Sequence, residues 1–281
     1  MIKRILHLIL LGLLAASCTE KINVKLDTTF TRVVVDGSVQ SDTGTYAIAL
    51  TESSDYFSDQ PAPRIVSAGV TLSDGSNIFQ LHETVPGVSG IYHTDPGFAG
   101  QVGKTYTLHV SLHAAIAGKT NVEASSALLP VTRLDSVSAI FDPTLGTEGR
   151  WIIKIWAQDP ADQENYYLFN IYRNGHLMTD TITKKIISND KFYNGSYMNG
   201  IPIRRINNAN KWETLYPGDT IMVQMSAITK QYYNFIEEVD RSGFNIPFFT
   251  GPPANIVGNV NNGGIGFFAA YSNSFAKTIA K

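Results

Sequence analysis

The 281-residue chain carries 22 Lys and Arg against 24 Asp and Glu and is 43% hydrophobic. It therefore has the apolar content of a folded protein and lacks the basic excess expected of a nucleic-acid binder. A single cysteine excludes any intramolecular disulfide, so the fold must rest on its core.

The first element is a leader. Met1-Ile2-Lys3-Arg4 supplies charge, Ile5 to Leu14 is apolar, and Ala15-Ala16-Ser17 is a run of small residues ahead of Cys18. This is the layout of a signal peptide over residues 1–17. An apolar run of about ten residues is too short to span roughly 30 Å of hydrocarbon, and no later segment is longer and uncharged, so no transmembrane helix is expected in the mature chain. A lipoprotein signal peptidase would leave Cys18 as the new N-terminus, with its thiol available for lipid. An ordinary signal peptide with an incidental cysteine is the competing reading, disfavoured because the sole cysteine falls at the one position that needs it. Ala15 stands where Leu is more usual. Removing residues 1–17 takes away Lys3 and Arg4 and leaves 20 basic against 24 acidic side chains, a net of −4, which argues against a polybasic membrane patch. The remaining 264 residues fit about two domains.

Residues 18–29 lack a compact apolar face and read as a lipidated tether. The first expected strand is Thr31 to Val35, ended by the turn-forming pair Asp36-Gly37. Tyr46 to Leu50 alternates with period two. Val66 to Leu72 and Ile78 to Leu81 flank Ser73-Asp74-Gly75-Ser76 and predict a hairpin. Thr105 to Leu112 alternates over eight residues, with Tyr106, Leu108, Val110 and Leu112 on the buried face. Strands and turns at this spacing predict an antiparallel β-sandwich over residues 30–130. Ala124 to Pro130, small residues ending in proline, reads as a break, with a domain boundary near Pro130.

Residues 131–281 continue as a second β-rich domain. Strands are expected at Val131 to Val137, Trp151 to Ala157, Tyr166 to Tyr172 before Asn174-Gly175, Thr181 to Ile187, and Thr220 to Met225 after Tyr216-Pro217-Gly218-Asp219. One amphipathic helix is expected near residues 229–242. Tyr232, Phe235, Ile236 and Val239 stand at i, i+3, i+4 and i+7, with Thr229 as N-cap and Gly243 just past the end. Gly263 to Tyr271 reads as a closing strand behind a glycine bend.

Several fragments carry a family likeness: Val33-Val34-Val35-Asp36-Gly37, Ser67 to Gly75, Gly90-Ile91-Tyr92 leading to Gly103 to Leu108, Leu134-Asp135-Ser136-Val137, and Asn259 to Phe268. In this order and spacing the chain resembles the Bacteroidota outer-membrane lipoproteins grouped as domain of unknown function 4249, over almost the whole mature chain. The resemblance implies an immunoglobulin-like N-terminal sandwich and a location at the outer membrane, in a group often encoded beside TonB-dependent β-barrel receptors. It carries no catalytic residues over. Some surface-exposed lipoproteins of that phylum have several acidic residues after the cysteine. Thr19-Glu20-Lys21 supplies only one, which leaves the periplasmic and the surface-exposed face both open.

Catalytic signatures are absent: there is no Gly-x-Ser-x-Gly elbow, His-Glu-x-x-His pair or phosphate-binding loop. His109 and His113 would lie about 13 Å apart on a strand, too far to share an ion. Asp159, Asp162 and Glu164 concentrate oxygen in one loop and are weak candidates for Ca²⁺, against the favoured reading of a polar turn. Glu237 and Glu238 adjoin on the helix and point apart, as a solvated face rather than a catalytic pair. Trp156 shares a strand face with Lys154 and Gln158. It either covers a polar edge of its own domain, the favoured reading, or anchors a contact. Phe244, Phe248 and Phe249 are further candidate binding residues. The expected protein is thus a mainly β lipoprotein without cofactor or metal, acting by binding as accessory to a TonB-dependent nutrient-uptake receptor, with its ligand open. A surface hydrolase of glycans or peptides and a structural or adhesive surface protein are the alternatives.

Overall fold

A computed structural model describes residues 31–54, 60–161, 163–209, 213–243 and 256–281. The leader, Cys18, the tether, Asp162, Phe244, Phe248 and Phe249 lie outside the described residues. The chain is mainly β, with two sheets and one α-helix among the described residues, in a sandwich-like arrangement. None of the described helices is long and apolar enough to cross a membrane.

The first seven strands are β1 Val33–Gln40, β2 Ala47–Glu52, β3 Gly69–Ser73, β4 Ile78–Glu83, β5 Ile91–His93, β6 Thr105–Ile116 and β7 Lys119–Ala127. They pair in the order β1-β2-β5-β4-β3-β6-β7 and enclose a core that includes Val35, Ile48, Leu50, Leu72, Tyr92 and Leu108. The β3–β4 hairpin forms as its turn residues predict, with Val70 opposite Leu81. Tyr106, Leu108 and Val110 of β6 are buried and Leu112 packs partly against the same core.

Two expectations fail in this region, both because a small residue does something other than turn the chain. Asp36-Gly37 is not a turn: β1 runs through it. A Cβ on Gly37 would lie 2.5 Å from Ile48 Cδ1 and 2.7 Å from the Ala47 carbonyl oxygen, so the glycine admits the neighbouring strand. The expected break at Ala124 to Pro130 is also strand as far as Ala127, because Ala124 and Ser126 alternate inward to the core while β7 pairs with β6.

Beyond Pro130 come β8 Leu134–Asp142, β9 Arg150–Gln158, β10 Tyr166–Arg173, β11 His176–Leu177, β12 Ile186–Asn189, β13 Tyr197–Asn207, β14 Thr220–Ala227, helix α1 Lys230–Gly243 and β15 Ile265–Ile279. A short 3-10 turn at Ile182–Lys184 replaces the start of the strand expected at Thr181 to Ile187. Strands β13-β9-β8 make a separate three-stranded sheet. It packs Trp151, Ile153 and Ile155 against Phe169, Val223 and Met225 of β10 and β14, forming a second core. Helix α1 starts as expected, with the Tyr232 N–H donating to Thr229 Oγ1 at 3.2 Å. Its Ile236 is buried with Leu168, Phe267 and Tyr271 on the opposite face of β10 and β15.

The long closing strand ties the two cores together. From Ile265 to Tyr271, β15 runs parallel to β1; from Ser272 to Ile279 it pairs antiparallel with β14. Core membership changes near Pro130, but Phe268 and Ala270 return to the first core from the far end of the chain. Residues 31–281 accordingly form one compact unit. The Asn-rich segment before β15 completes the closure. Asn259 donates through Nδ2 to the carbonyls of Ser125 (2.9 Å) and Phe268 (2.7 Å), and its Oδ1 accepts the Phe268 N–H at 2.9 Å. One side-chain amide thereby bridges β7 and β15, where the two strands do not pair directly.

Candidate functional site

The two sheets around the second core meet differently at their two sides. On one side the chain end joins them: the Lys281 N–H donates to the Ala139 carbonyl and the Phe141 N–H to the Lys281 carbonyl, both at 3.1 Å. On the other side β13 is an edge strand paired only with β9, and the β10–β11 hairpin is the facing edge. No backbone hydrogen bond joins these edges among the described residues. The gap is a cavity of about 400 Å³, within the size range of small-molecule sites.

Its walls come from two stretches of the sequence, residues 171–184 and residues 204–207 with Glu213. Ile171 and Arg173 on β10 lead into His176, Leu177, Met178 and Thr179; Arg204, Arg205, Ile206 and Asn207 come from β13; Lys184 and Glu213 bound the remaining side, with Asp180. The Thr179 end is rigidly held. Thr179 is buried and donates to Asn170 Oδ1 at 2.9 Å; Asn170 donates to Gln224 Oε1 at 3.2 Å; Gln224 in turn donates to Gln40 Oε1 at 3.2 Å. This chain of amides runs through the sheet from the cavity to β1, with each buried polar group paired as its burial requires.

Charge in the cavity is uneven. Lys184 Nζ sits 3.2 Å from both Asp180 Oδ1 and Glu213 Oε1, and its pKa is raised by the hydrogen bonds to Glu213 and then to Asp180. Both acids thereby pair with the same lysine. Arg173 donates to the Thr214 carbonyl. Arg204 and Arg205 have no carboxylate partner among the described residues. Cross-strand pairing puts Arg204 opposite Ile153 and Ile206 opposite Trp151, both of them buried partners, so Arg204 lies on the core-facing side of β13 at the rim. Arg205 alternates to the outer face and borders the same opening.

Those residues singled out in the sequence that are described lie elsewhere. Trp156 donates its indole N–H to Asn199 Oδ1 at 2.9 Å, and its ring covers Gly200, where a Cβ would stand 3.1 Å from the indole. It shields the irregular pairing of β9 with β13, which shifts register between Asn199 and Ile201. Asp159 is buried; its oxygens accept from the Tyr167 hydroxyl at 2.6 Å and the Gly195 N–H at 3.0 Å. Burial raises its pKa, and these two hydrogen bonds oppose the shift. Glu164 is turned outward to Lys230 (3.0 Å) and the Tyr166 hydroxyl (2.8 Å), which lower its pKa. Asp159 and Glu164 therefore serve different partners, and no group of three metal-ligating side chains occurs among the described residues. His109 pairs with Glu123 at 2.8 Å. Glu237 pairs with Arg241, while Glu238 accepts the Val257 N–H.

Sequence reasoning missed the cavity. Adjacent arginines on an irregular strand were the only local signal, and nothing in the sequence set them opposite Arg173 and Lys184. No curated protein matches the chain. Residues 19–275 match the family model described as Domain of unknown function (DUF4249), and the chain belongs to that family.

Proposed function

We propose that the chain is a lipid-anchored outer-membrane protein that acts by binding, as an accessory to a TonB-dependent β-barrel receptor. The observation that carries the binding role is the cavity between β11 and β13: it is ligand-sized, and its polar lining consists of groups suited to holding a ligand. The anchor rests on the leader and on Cys18, directly ahead of the first residue matched by the family model. The likeness to Bacteroidota lipoproteins supports the receptor.

Two measurements test this reading. Cys18→Ala should move the protein from the membrane fraction to the soluble fraction and abolish incorporation of labelled palmitate; continued labelling would exclude the anchor. The tagged lipoprotein, recovered from detergent-solubilised outer membranes, should bring a TonB-dependent receptor with it and show no hydrolysis of polysaccharides or peptides. Hydrolysis without a receptor would replace this reading with a surface hydrolase.

A further inference from the structure

We infer that the cavity between β11 and β13 is a binding site for a small organic anion, with Arg204 as its principal anchor. This rests on the binding role proposed above and adds the class of ligand.

The chain has an acidic balance, 24 Asp and Glu against 22 Lys and Arg, yet three of its nine arginines line this one opening. Such a concentration runs against the average charge of the surface. Among the described lining residues four cations, Arg173, Lys184, Arg204 and Arg205, face two acids, Asp180 and Glu213, and both acids pair with Lys184. The ion pairs therefore use up one cation and leave the arginines in excess. Arg173 is fastened to the Thr214 carbonyl and is a fixed part of the wall. Arg204 sits on the core-facing side of an edge strand with its guanidinium donors uncommitted to any carboxylate among the described residues. A guanidinium presents its N–H groups as a planar fork that matches a carboxylate or phosphate oxygen pair.

The rest of the lining sets the body of the ligand. Leu177, Met178 and Ile206 offer an apolar surface beside the arginines, so a purely inorganic ion would leave that surface in contact with water. An anion with an apolar or aromatic body covers it and delivers its charge to Arg204. The volume of about 400 Å³ fits a small molecule. The buried hydrogen bond from Thr179 to Asn170 holds one side of the site in place, which reduces the ordering cost of binding there.

The test uses the whole mature chain, made soluble by Cys18→Ala, and two fluorescent probes. Dansylglycine carries a carboxylate on an aromatic body; dansylamide keeps the body without the charge. Dansylglycine should bind at least about tenfold more tightly, because a charge-assisted hydrogen bond is roughly twice as strong as a neutral one. Its affinity should fall by about tenfold or more in Arg204→Gln/Arg205→Gln and recover in part in Arg204→Lys. Both arginines are exposed, so the variants should keep the wild-type circular dichroism and melting temperature. Equal affinity for the two probes, or unchanged dansylglycine affinity in the double variant, would overturn the anion site. If that double variant still recovered a TonB-dependent receptor, the binding role would stand while the ligand class fell.

Discussion

Gly266→Ala is expected to destabilise the protein by more than about 4 kcal/mol, a large share of the usual margin of about 5–15 kcal/mol. Two costs add. Gly266 has a φ of +92°, a conformation that L side chains rarely adopt. Its Cβ would also lie 2.1 Å from the Val35 carbonyl oxygen, a backbone atom in the parallel partner strand that cannot rotate away. Relief requires β15 to separate from β1, which withdraws Phe268 and Ala270 from the first core. Gly263→Ala is the matched control. It has a similar φ of +82° but nothing within 4 Å of the added Cβ, so it should cost only about 1 kcal/mol. Urea denaturation followed by circular dichroism compares the two. Similar midpoints would show that the close approach of β1 and β15 carries no weight.

Asp159→Ala should cost about 3 kcal/mol, since it leaves the buried Tyr167 hydroxyl and the Gly195 N–H without their acceptor. Asp159→Asn retains one acceptor oxygen and should cost about 1 kcal/mol. The pH dependence separates the carboxylate's charge from its shape. Because burial raises the Asp159 pKa above its ordinary 3.8, the folded state holds the proton more tightly than the unfolded state does. That stabilisation is complete below the unfolded pKa and is lost as pH rises through the folded one. Wild type should therefore gain stability relative to Asp159→Asn as pH is lowered from about 7 to about 4. A gap that narrows over the same range would contradict the assignment of burial as the dominant cause.

Much of the fold was legible because its signals are local. The β3–β4 hairpin announces itself through its turn residues, and β6 and β9 through strict alternation. Helix α1 follows from a 3.6-residue period behind a threonine cap. Other elements were hidden where a residue's local preference yields to its neighbours. Gly37 looks like half of a turn, yet it is mid-strand because Ile48 fills the space where its side chain would be. Strand β13 was missed because Gly200 and Pro202 break its pattern; they fall where its pairing with β9 slips twice, and Trp156 covers the first slip. The parallel pairing of β1 with β15 joins residues as distant as Val34 and Ile265 and has no local trace. For the same reason the cavity could not be read in advance. Arg173, Lys184, Arg204 and Glu213 meet only because β13 and the β10–β11 hairpin are opposing edges of two sheets. The oxygen-rich loop at Asp159 was visible, but its chemistry is decided by Tyr167 and Gly195, which no spacing rule brings to it.

That the chain acts by binding at this cavity is tested most directly by a crystal structure of the protein soaked with dansylglycine. The expected result is the probe lying between β11 and β13, its carboxylate within about 3 Å of the Arg204 guanidinium and its rings against Leu177 and Met178. A cavity that stays empty at saturating probe, or a probe bound at another surface, would contradict it.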